Sequence, residues 1–217
     1  MKNAIVYIDG YNLYFGLLKG TSYKWLDLWR FSEVLLDGRY SLLEVRYFTA
    51  PIKTHPVDLA ATERQNAYIQ ALLARPGVKI TQGFYSKNKM RVPYVAEKCA
   101  TCNVATDGLI QVYKMEEKRS DVNLAVSAVV DAADSRADCF VFITGDSDQV
   151  GAIEMIRNKY KKTVVVFNPH VSGGKHLKRA ATYFKFIPRD LPARCQLPEE
   201  IPVGTHGNFI HRPAAWR

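Results

Sequence analysis

The chain has 217 residues, of which 47% are hydrophobic and 24% charged, and its formal net charge at pH 7 is +9. This composition is typical of a globular domain and excludes a collagen-like, coiled-coil or wholly disordered chain. No apolar run reaches the roughly 18 residues of a membrane-spanning helix, so we predict no membrane segment. The basic excess favours a polyanionic partner, either nucleic acid or an anionic membrane surface.

The amino-terminal sequence MKNAIVYIDGYN predicts a first core strand. It has a short apolar run followed directly by Asp9 and lacks the small-residue cleavage site of a signal peptide. Four cysteines are too few for a disulfide scaffold. We therefore predict a cytoplasmic protein with reduced thiols.

Strands and helices are predicted to alternate along the chain. In order, we predict strand 4–8, helices 10–18 and 25–36, strand 42–49, helix 58–73, strand 78–85, a basic hairpin-like insertion at 87–113, a helix from 120, strand 139–143, helix 149–158, strand 163–167, helix 177–183 and strand 185–187. Several strands, such as CFVFI, are apolar throughout, which is typical of strands buried on both faces. This pattern predicts an α/β fold of three layers, with a mainly parallel central sheet.

The domain organisation that we predict is one domain at 1–187, carrying the insertion at 87–113, and a tail at 188–217. The tail contains five of the ten prolines. We expect it to be extended, draped over the domain or partly disordered.

The helix after residue 120 has the clearest helical periodicity in the chain, and Ser120 is its predicted N-cap. The apolar residues at this spacing are Val122, Ala125, Val126, Val129, Val130 and Ala133. We expect this stripe to be the buried face. Asp131 and Asp134, far along the helix, are predicted to lie on the surface.

Acidic residues follow two of the predicted strands. Asp9 comes directly after strand 4–8, and Asp146 and Asp148 follow strand 139–143. Ligands of parallel sheets bind at the carboxyl ends of the strands, so these residues share one edge if the two strands are neighbours. Asp121 lies in the first turn of the helix from 120, and whether this turn reaches the same edge stays open at the sequence level.

Clustered carboxylates repel one another, and a hard divalent cation such as Mg²⁺ or Mn²⁺ relieves that repulsion. Such ions activate water and stabilise the charge that develops on a phosphate. A single Asp after a strand is more typical of a turn or a helix cap. Four in this arrangement favour a metal site.

Four segments in the same order resemble the NYN domain family, the PIN-like nucleases of the LabA-like branch. They are IVYIDGYNLYFG at 5–16, KRSDVNLAV at 118–126, FITGDSD at 142–148 and VVVFNP at 164–169. The resemblance spans about residues 3–187 and implies a PIN-like Rossmannoid fold and metal-dependent cleavage of RNA. The catalytic metal ligands that it implies are Asp9, Asp121, Asp146 and Asp148. It also implies that Asn12 holds the site and that Thr144 or Ser147 steadies a ligand.

Two sequence features bear on alternative functions. Gln149 and Gly151 stand where family members often have a bulky apolar residue and a proline, which favours a non-catalytic RNA-binding or regulatory protein that kept the fold. GDSD also resembles the last acidic motif of haloacid-dehalogenase-type phosphatases. Those enzymes need a second acid two residues after the first Asp, where this chain has Tyr11.

The basic residues are segregated from the acidic ones. Nine Lys or Arg and no Asp or Glu lie between 157 and 189. The residues predicted to bind nucleic acid are Lys118, Arg119, Lys161, Lys162, Lys175, Lys178 and Arg179. A second cluster contains Lys87, Lys89, Arg91, Tyr85 and Tyr94. Interleaved cations and aromatics suit phosphate contacts and base stacking, so we predict a single-stranded RNA partner, with DNA and a homodimer or protein partner through the tail left open.

Cys99 and Cys102 have the spacing of half a zinc site. The second half is not evident in the sequence, so the pattern favours two free thiols over bound Zn²⁺.

Overall fold

The molecule is built from ten strands and seven α-helices in the part that a computed structural model describes, residues 1–52, 58–93, 109–203 and 208–217. In chain order the elements are β1 (Asn3–Asp9), α1 (Gly10–Leu13), a π-helical turn (Tyr14–Leu18), α2 (Leu28–Leu36), β2 (Ser41–Thr49), α3 (Ala61–Leu73), β3 (Val78–Gln82), β4 (Phe84–Pro93), β5 (Leu109–Lys118), α4 (Ser120–Ala133), β6 (Cys139–Ile143), a 3₁₀ turn (Ser147–Gln149), α5 (Val150–Asn158), β7 (Thr163–Asn168), α6 (Lys175–Ala180), β8 (Tyr183–Phe186), α7 (Leu191–Arg194), β9 (Glu200–Val203), β10 (Asn208–His211) and a 3₁₀ turn (Ala214–Trp216).

The central sheet has six strands in the order β3-β2-β1-β6-β7-β8. Every neighbouring pair in it is parallel. The predicted parallel α/β sheet is therefore confirmed. The chain builds outward from β1 on one side and then resumes at β6 on the other, so the strand order reverses between β1 and β6. Such a reversal opens a crevice at the carboxyl ends of the two strands.

Two hydrophobic cores cover the two faces of this sheet. Alternate residues of β1 serve both, because Val6 and Ile8 join one core and Ile5 and Tyr7 join the other. The first core includes side chains of α1, α2, α3 and the tail, and the second includes those of α4, α5 and α6. The predicted three-layer arrangement is confirmed.

The described part of the insertion is an antiparallel pair of strands, β4 and β5, which we call the hairpin. It begins and ends at the carboxyl edge of the sheet, because Gly83 donates its N–H to the Thr49 carbonyl (2.7 Å) at the end of β2. A Cβ on Gly83 would lie 2.3 Å from the Lys118 carbonyl oxygen, so the two ends of the hairpin are in contact. As a result α4 starts at the carboxyl edge, which answers the question that the sequence left open for Asp121.

The predicted N-cap of α4 is wrong. Arg119 occupies that position with a φ of 80°, and the Ser120 N–H is bound by the side chain of Glu117 (3.1 Å). The helix predicted from Trp25 begins only at Leu28, where Asp27 caps it through its carboxylate.

The predicted buried stripe of α4 is also wrong. Val122, Val126 and Val130 are 64%, 56% and 50% exposed, whereas Leu124 and Ala128 are fully buried. The cause is Asp131, which was predicted to be on the surface but is 3% exposed.

Asp131 lies at the centre of a buried network that joins α4 to the sheet. Its carboxylate accepts a hydrogen bond from the Tyr7 hydroxyl (2.7 Å) and forms ion pairs with Arg46 (2.9 Å) and Arg136 (2.9 Å). A buried carboxylate must be paired, so this network fixes the rotation of the helix and turns the valines outward.

The described part of the tail packs onto the first core. Cys195, Leu197 and Ile201 are buried, and the Leu197 N–H donates to the Trp25 carbonyl (2.8 Å). Trp216 lies 6.2 Å from Trp25, measured between ring centroids. Among the described residues, no helix combines the length and the apolar character needed to cross a membrane.

The Asp131 network predicts that Asp131 contributes much more to the free energy of unfolding than Asp134 does. We expect Asp131→Asn to lower the free energy of unfolding by about 2–4 kcal/mol, because it leaves Arg46 and Arg136 without their buried counter-charge. Urea denaturation followed by circular dichroism measures this change.

Asp134→Asn is the matched control, because Asp134 is exposed just beyond the end of α4. We expect it to change stability by less than about 0.5 kcal/mol. Equal effects of the two substitutions would contradict the assignment of Asp131 to the core.

Candidate metal and nucleic-acid site

Three carboxylates meet in the crevice between β1 and β6. Asp9 ends β1, Asp146 follows β6, and Asp121 lies in the first turn of α4. Each offers one oxygen, and these atoms all lie within 4.8 Å of one another. We call Asp9, Asp121 and Asp146 the carboxylate cluster.

Asp9 is the most rigidly held member of the cluster. It is 3% exposed and caps α1. Its two oxygens accept hydrogen bonds from the Asn12 N–H (2.9 Å), the Asn12 side-chain amide (2.7 Å) and the Thr144 hydroxyl (3.1 Å). Burial raises the pKa of Asp9, whereas these three hydrogen bonds lower it.

Asn12 joins three strand ends. Its side-chain oxygen accepts hydrogen bonds from the Gly145 N–H (3.1 Å) and from Nε2 of His170 (3.1 Å), while its amide nitrogen binds Asp9. The sequence analysis did not assign His170 to this site. Its position after the strand 163–167, at the carboxyl edge, was the signal that could have placed it here.

The loop after β6 is ordered by its own polar groups. The Asp146 N–H donates to the Thr144 hydroxyl (3.0 Å), and the Asp148 N–H donates to the Asp146 carboxylate (3.0 Å). Asp148 and Ser147 are exposed on this turn. The structure therefore brings together three of the four predicted ligands, and Asp148 lies outside the carboxylate cluster.

Gln149 supports the site directly. It is 1% exposed, and its side-chain amide donates to the Asp121 backbone carbonyl (3.2 Å), which ties the turn after β6 to the start of α4. Gly151 faces open space, since a Cβ built there meets no atom within 4 Å. The residue that seemed a departure from the family pattern thus helps to position Asp121.

The cluster carries unbalanced negative charge. Burial, together with the neighbouring charges of Asp9, Glu117, Asp146 and Asp148, raises the pKa of Asp121 to about 6. Carboxylate oxygens in this arrangement match the donor set that Mg²⁺ and Mn²⁺ prefer. The residues present therefore fit a hard divalent cation.

Exposed cations lie on either side of the cluster at the same edge. Lys118 and Arg119 directly precede α4, where Arg119 lies over the Phe84 ring (4.7 Å). Lys175 begins α6, which follows the carboxyl end of β7, and Lys178 and Arg179 lie further along that helix.

The structure separates other predicted residues from the cluster. Lys161 and Lys162 precede β7 and lie at the amino edge, about 20 Å from the carboxyl edge by strand length. Cys99, Cys102 and Tyr94 lie outside the described residues. Two free thiols at Cys99 and Cys102, in preference to bound Zn²⁺, therefore stay a prediction.

An aromatic pocket opens beside the cluster and was not predicted from the sequence. Its volume is about 330 Å³. Its aromatic lining consists of Tyr11, Tyr14, Phe15, Tyr47, Tyr68, Tyr85 and Trp216. These residues come from α1, the turn after it, β2, α3, β4 and the tail, so no local pattern could reveal the pocket.

The three-layer fold with acidic residues at the strand-order reversal defines a Rossmannoid α/β domain with a candidate metal site. The NYN domain model matches residues 3–188. The chain therefore belongs to the NYN domain family, which falls within the PIN-like nuclease superfamily.

Two known proteins are similar to this chain, one in sequence and one in structure. A 6-hydroxy-3-succinoylpyridine 3-monooxygenase of Pseudomonas putida is 34% identical and aligns with 91% of this chain and 70% of its own length. The crystal structure of a protein of unknown function from Vibrio parahaemolyticus has a TM-score of 0.51 at 19% identity, covering 87% of this chain and 95% of that one. The second likeness supports the fold alone.

Charge repulsion in the carboxylate cluster predicts a trade-off between stability and metal binding. The pKa of Asp121 is raised from 3.8 to about 6. The ionised Asp121 carboxylate therefore lowers the free energy of unfolding, and this loss develops as the pH rises from about 3.8 to 6 and is complete at pH 8. In EDTA at pH 8 we expect Asp121→Asn to raise the melting temperature by about 1–3 °C.

In excess Mn²⁺ we expect wild type to have the higher melting temperature, because Mn²⁺ binding stabilises wild type more than it stabilises Asp121→Asn. Differential scanning fluorimetry measures the melting temperatures in EDTA and in excess Mn²⁺. Glu154→Gln, which removes an exposed carboxylate from α5, is the control and shifts neither. A destabilised Asp121→Asn protein in EDTA would contradict the repulsion.

Proposed function

We propose that the protein is a metal-dependent nuclease that hydrolyses phosphodiester bonds of single-stranded RNA. The observation that carries this proposal is the carboxylate cluster at the strand-order reversal of an NYN domain. Asp9, Asp121 and Asp146 would hold Mg²⁺ or Mn²⁺, with exposed Asp148 at the mouth of the site. A cation bound there supplies a lowered pKa for bound water and neutralises charge on the phosphate.

The polar residues of the site have positioning roles in this proposal. Asn12 and Thr144 orient Asp9, and their hydrogen bonds favour its carboxylate form against burial, which raises its pKa. Gln149 holds the backbone of Asp121. We propose that exposed Ser147, on the turn after Asp146, contacts a phosphate oxygen of the substrate.

The hairpin offers a surface suited to a single strand. Lys87 and Lys89 lie 4.2 and 5.8 Å from the ring centroid of Tyr113, which is 58% exposed. Cations around an exposed ring combine phosphate contacts with base stacking. Because the hairpin starts and ends at the carboxyl edge of the sheet, a single RNA strand bound along the hairpin would lead toward the carboxylate cluster. Lys118, Arg119 and α6 extend this basic surface.

A second candidate function is oxygenation of a hydroxylated pyridine. It is favoured by the 34% identity to the Pseudomonas putida monooxygenase and by the aromatic pocket. A monooxygenation consumes dioxygen and a two-electron donor, and releases one oxygen atom as water. Oxygen uptake with 6-hydroxynicotinate and NADH, in the absence of any RNA cleavage, would favour this candidate.

The nuclease proposal predicts metal-dependent cleavage of labelled single-stranded RNA by the wild-type protein. We expect Asp9→Asn and Asp146→Asn each to reduce the cleavage rate by at least about 100-fold, because each removes a charged ligand from the cluster. The assay compares Mn²⁺, Mg²⁺ and EDTA on denaturing gels.

Asp134→Asn is the matched control, since it removes an exposed carboxylate beyond the far end of α4. It is expected to cleave at the wild-type rate. Binding without cleavage in every metal would support instead a non-catalytic RNA-binding protein, and cleavage by Asp146→Asn at the wild-type rate would show that the activity does not come from the carboxylate cluster.

The position of the cations predicts which lysines matter for RNA affinity. We expect Lys87→Gln/Lys89→Gln to weaken binding and to reduce the salt slope by about 1.4, since each phosphate contact to a single strand contributes about 0.7. Fluorescence anisotropy of labelled RNA between about 50 and 200 mM salt, in EDTA, measures both.

The comparison variant is Lys161→Gln/Lys162→Gln, which removes the same charge from the amino edge. It is expected to retain the wild-type slope. Equal losses in the two double variants would mean that net charge, and not the hairpin surface, determines affinity.

A further inference from the structure

The aromatic pocket is shaped to hold a flat ring. Phe15 is 54% exposed and Tyr14 is 37% exposed, and the Lys19 ammonium lies 4.9 Å from the centroid of the Phe15 ring. Phe15 stacks on Tyr11 with an interplanar angle of 21°, and Tyr85 meets Tyr11 edge-on at 5.8 Å between centroids. Aromatic walls of this kind favour stacked or edge-to-face contact with another ring.

The pocket also has a cation without an ion pair. Arg64 is paired with Asp58, whereas the Lys24 ammonium donates only to the Thr21 backbone carbonyl (2.7 Å) among the described residues. Burial and the nearby charge of Arg64 lower the pKa of Lys24. An anionic group on a ligand would relieve this unfavourable environment.

The pocket and the carboxylate cluster are adjacent along the chain. Gly10 and Tyr11 line the pocket and are the next two residues after Asp9, so they lie within about 8 Å of it along the chain. Gly10 is closely confined, because a Cβ on it would lie 2.7 Å from the Phe48 carbonyl and 2.8 Å from the Tyr47 hydroxyl. The pocket lining therefore includes the two residues that follow Asp9, whereas none of the three carboxylates of the cluster lines the pocket.

We propose that this pocket binds a planar heteroaromatic ring that carries an anionic group, with the ring against Tyr11 and Phe15 and the anion at Lys24. Two sources share this chemistry. One is a nucleotide of the RNA strand next to the bond cleaved at the cluster, a reading that rests on the proposed nuclease function. The other is a free acidic hydroxypyridine, as the second candidate function requires.

Trp216 adds a contribution from outside the family match. It lines the pocket from the tail, and its ring lies 6.1 Å from that of Tyr68. Since the NYN model ends at residue 188, this wall lies outside the matched region. Trp216 also makes the pocket observable, because ligand binding next to an indole changes its fluorescence.

The test is equilibrium binding to the full chain in EDTA, measured by tryptophan fluorescence and by calorimetry. The probes are uridine 5′-monophosphate, adenosine 5′-monophosphate and 6-hydroxynicotinate, with ribose 5-phosphate as the anion that lacks a ring. The variants are Phe15→Ala and Lys24→Gln. Phe209→Ala is the matched control, because Phe209 is 50% exposed on β10 and is not part of the pocket lining.

We expect at least one ring-bearing probe to bind at millimolar concentration or below, and ribose 5-phosphate to bind at least tenfold more weakly. Phe15→Ala and Lys24→Gln should each weaken binding about tenfold, while Phe209→Ala leaves it unchanged. Binding of the nucleotides assigns the pocket to a nucleobase, binding of 6-hydroxynicotinate assigns it to a free pyridine, and binding of both supports the ring class.

The proposal is overturned if no ring-bearing probe binds at 5 mM to folded protein, or if both variants bind as wild type does. This outcome is distinguishable from failure of the nuclease proposal, because no metal and no cleavage enter the measurement. Absence of RNA cleavage together with ring binding would count against the nuclease alone.

Discussion

The hydrogen bonds to the Asp9 carboxylate are the constraint on which the rest of the site depends. They connect the end of β1 to Asn12 and to Thr144 after β6, and Asn12 in turn binds Gly145 and His170. Three strand ends are thereby held at fixed distances around the buried Asp9 carboxyl group. The same hydrogen bonds lower the pKa of Asp9 and so oppose the larger effect of burial, which raises it.

The sheet and most of this cluster could be predicted from local sequence. Apolar runs such as CFVFI report burial on both faces, and a parallel sheet brings the residues after its strands to one edge. Asp9 and Asp146 follow such runs directly, which is why their meeting was predictable. Asp121 could not be placed in this way, since its position depends on a hairpin that leaves and rejoins the carboxyl edge through contacts at Gly83.

Long-range contacts explain what the sequence could not predict. The valine stripe of α4 has the period of a buried face, yet Asp131 decides the rotation through partners 85 and 124 residues away. Periodicity carries no information about such partners. The aromatic pocket is a similar case, because Phe15 and Trp216 become neighbours only after the tail has packed onto the first core.

The central claim is that the carboxylate cluster holds a divalent cation. Crystals of the wild-type protein grown with Mn²⁺ and of Asp146→Asn grown in the same solution would test it by anomalous diffraction at the manganese edge. We predict a peak within coordination distance of Asp9, Asp121 and Asp146 in wild type and a weaker or absent peak in the variant. An ordered cluster without a peak at saturating Mn²⁺ would contradict the metal site and, with it, the proposed nuclease chemistry.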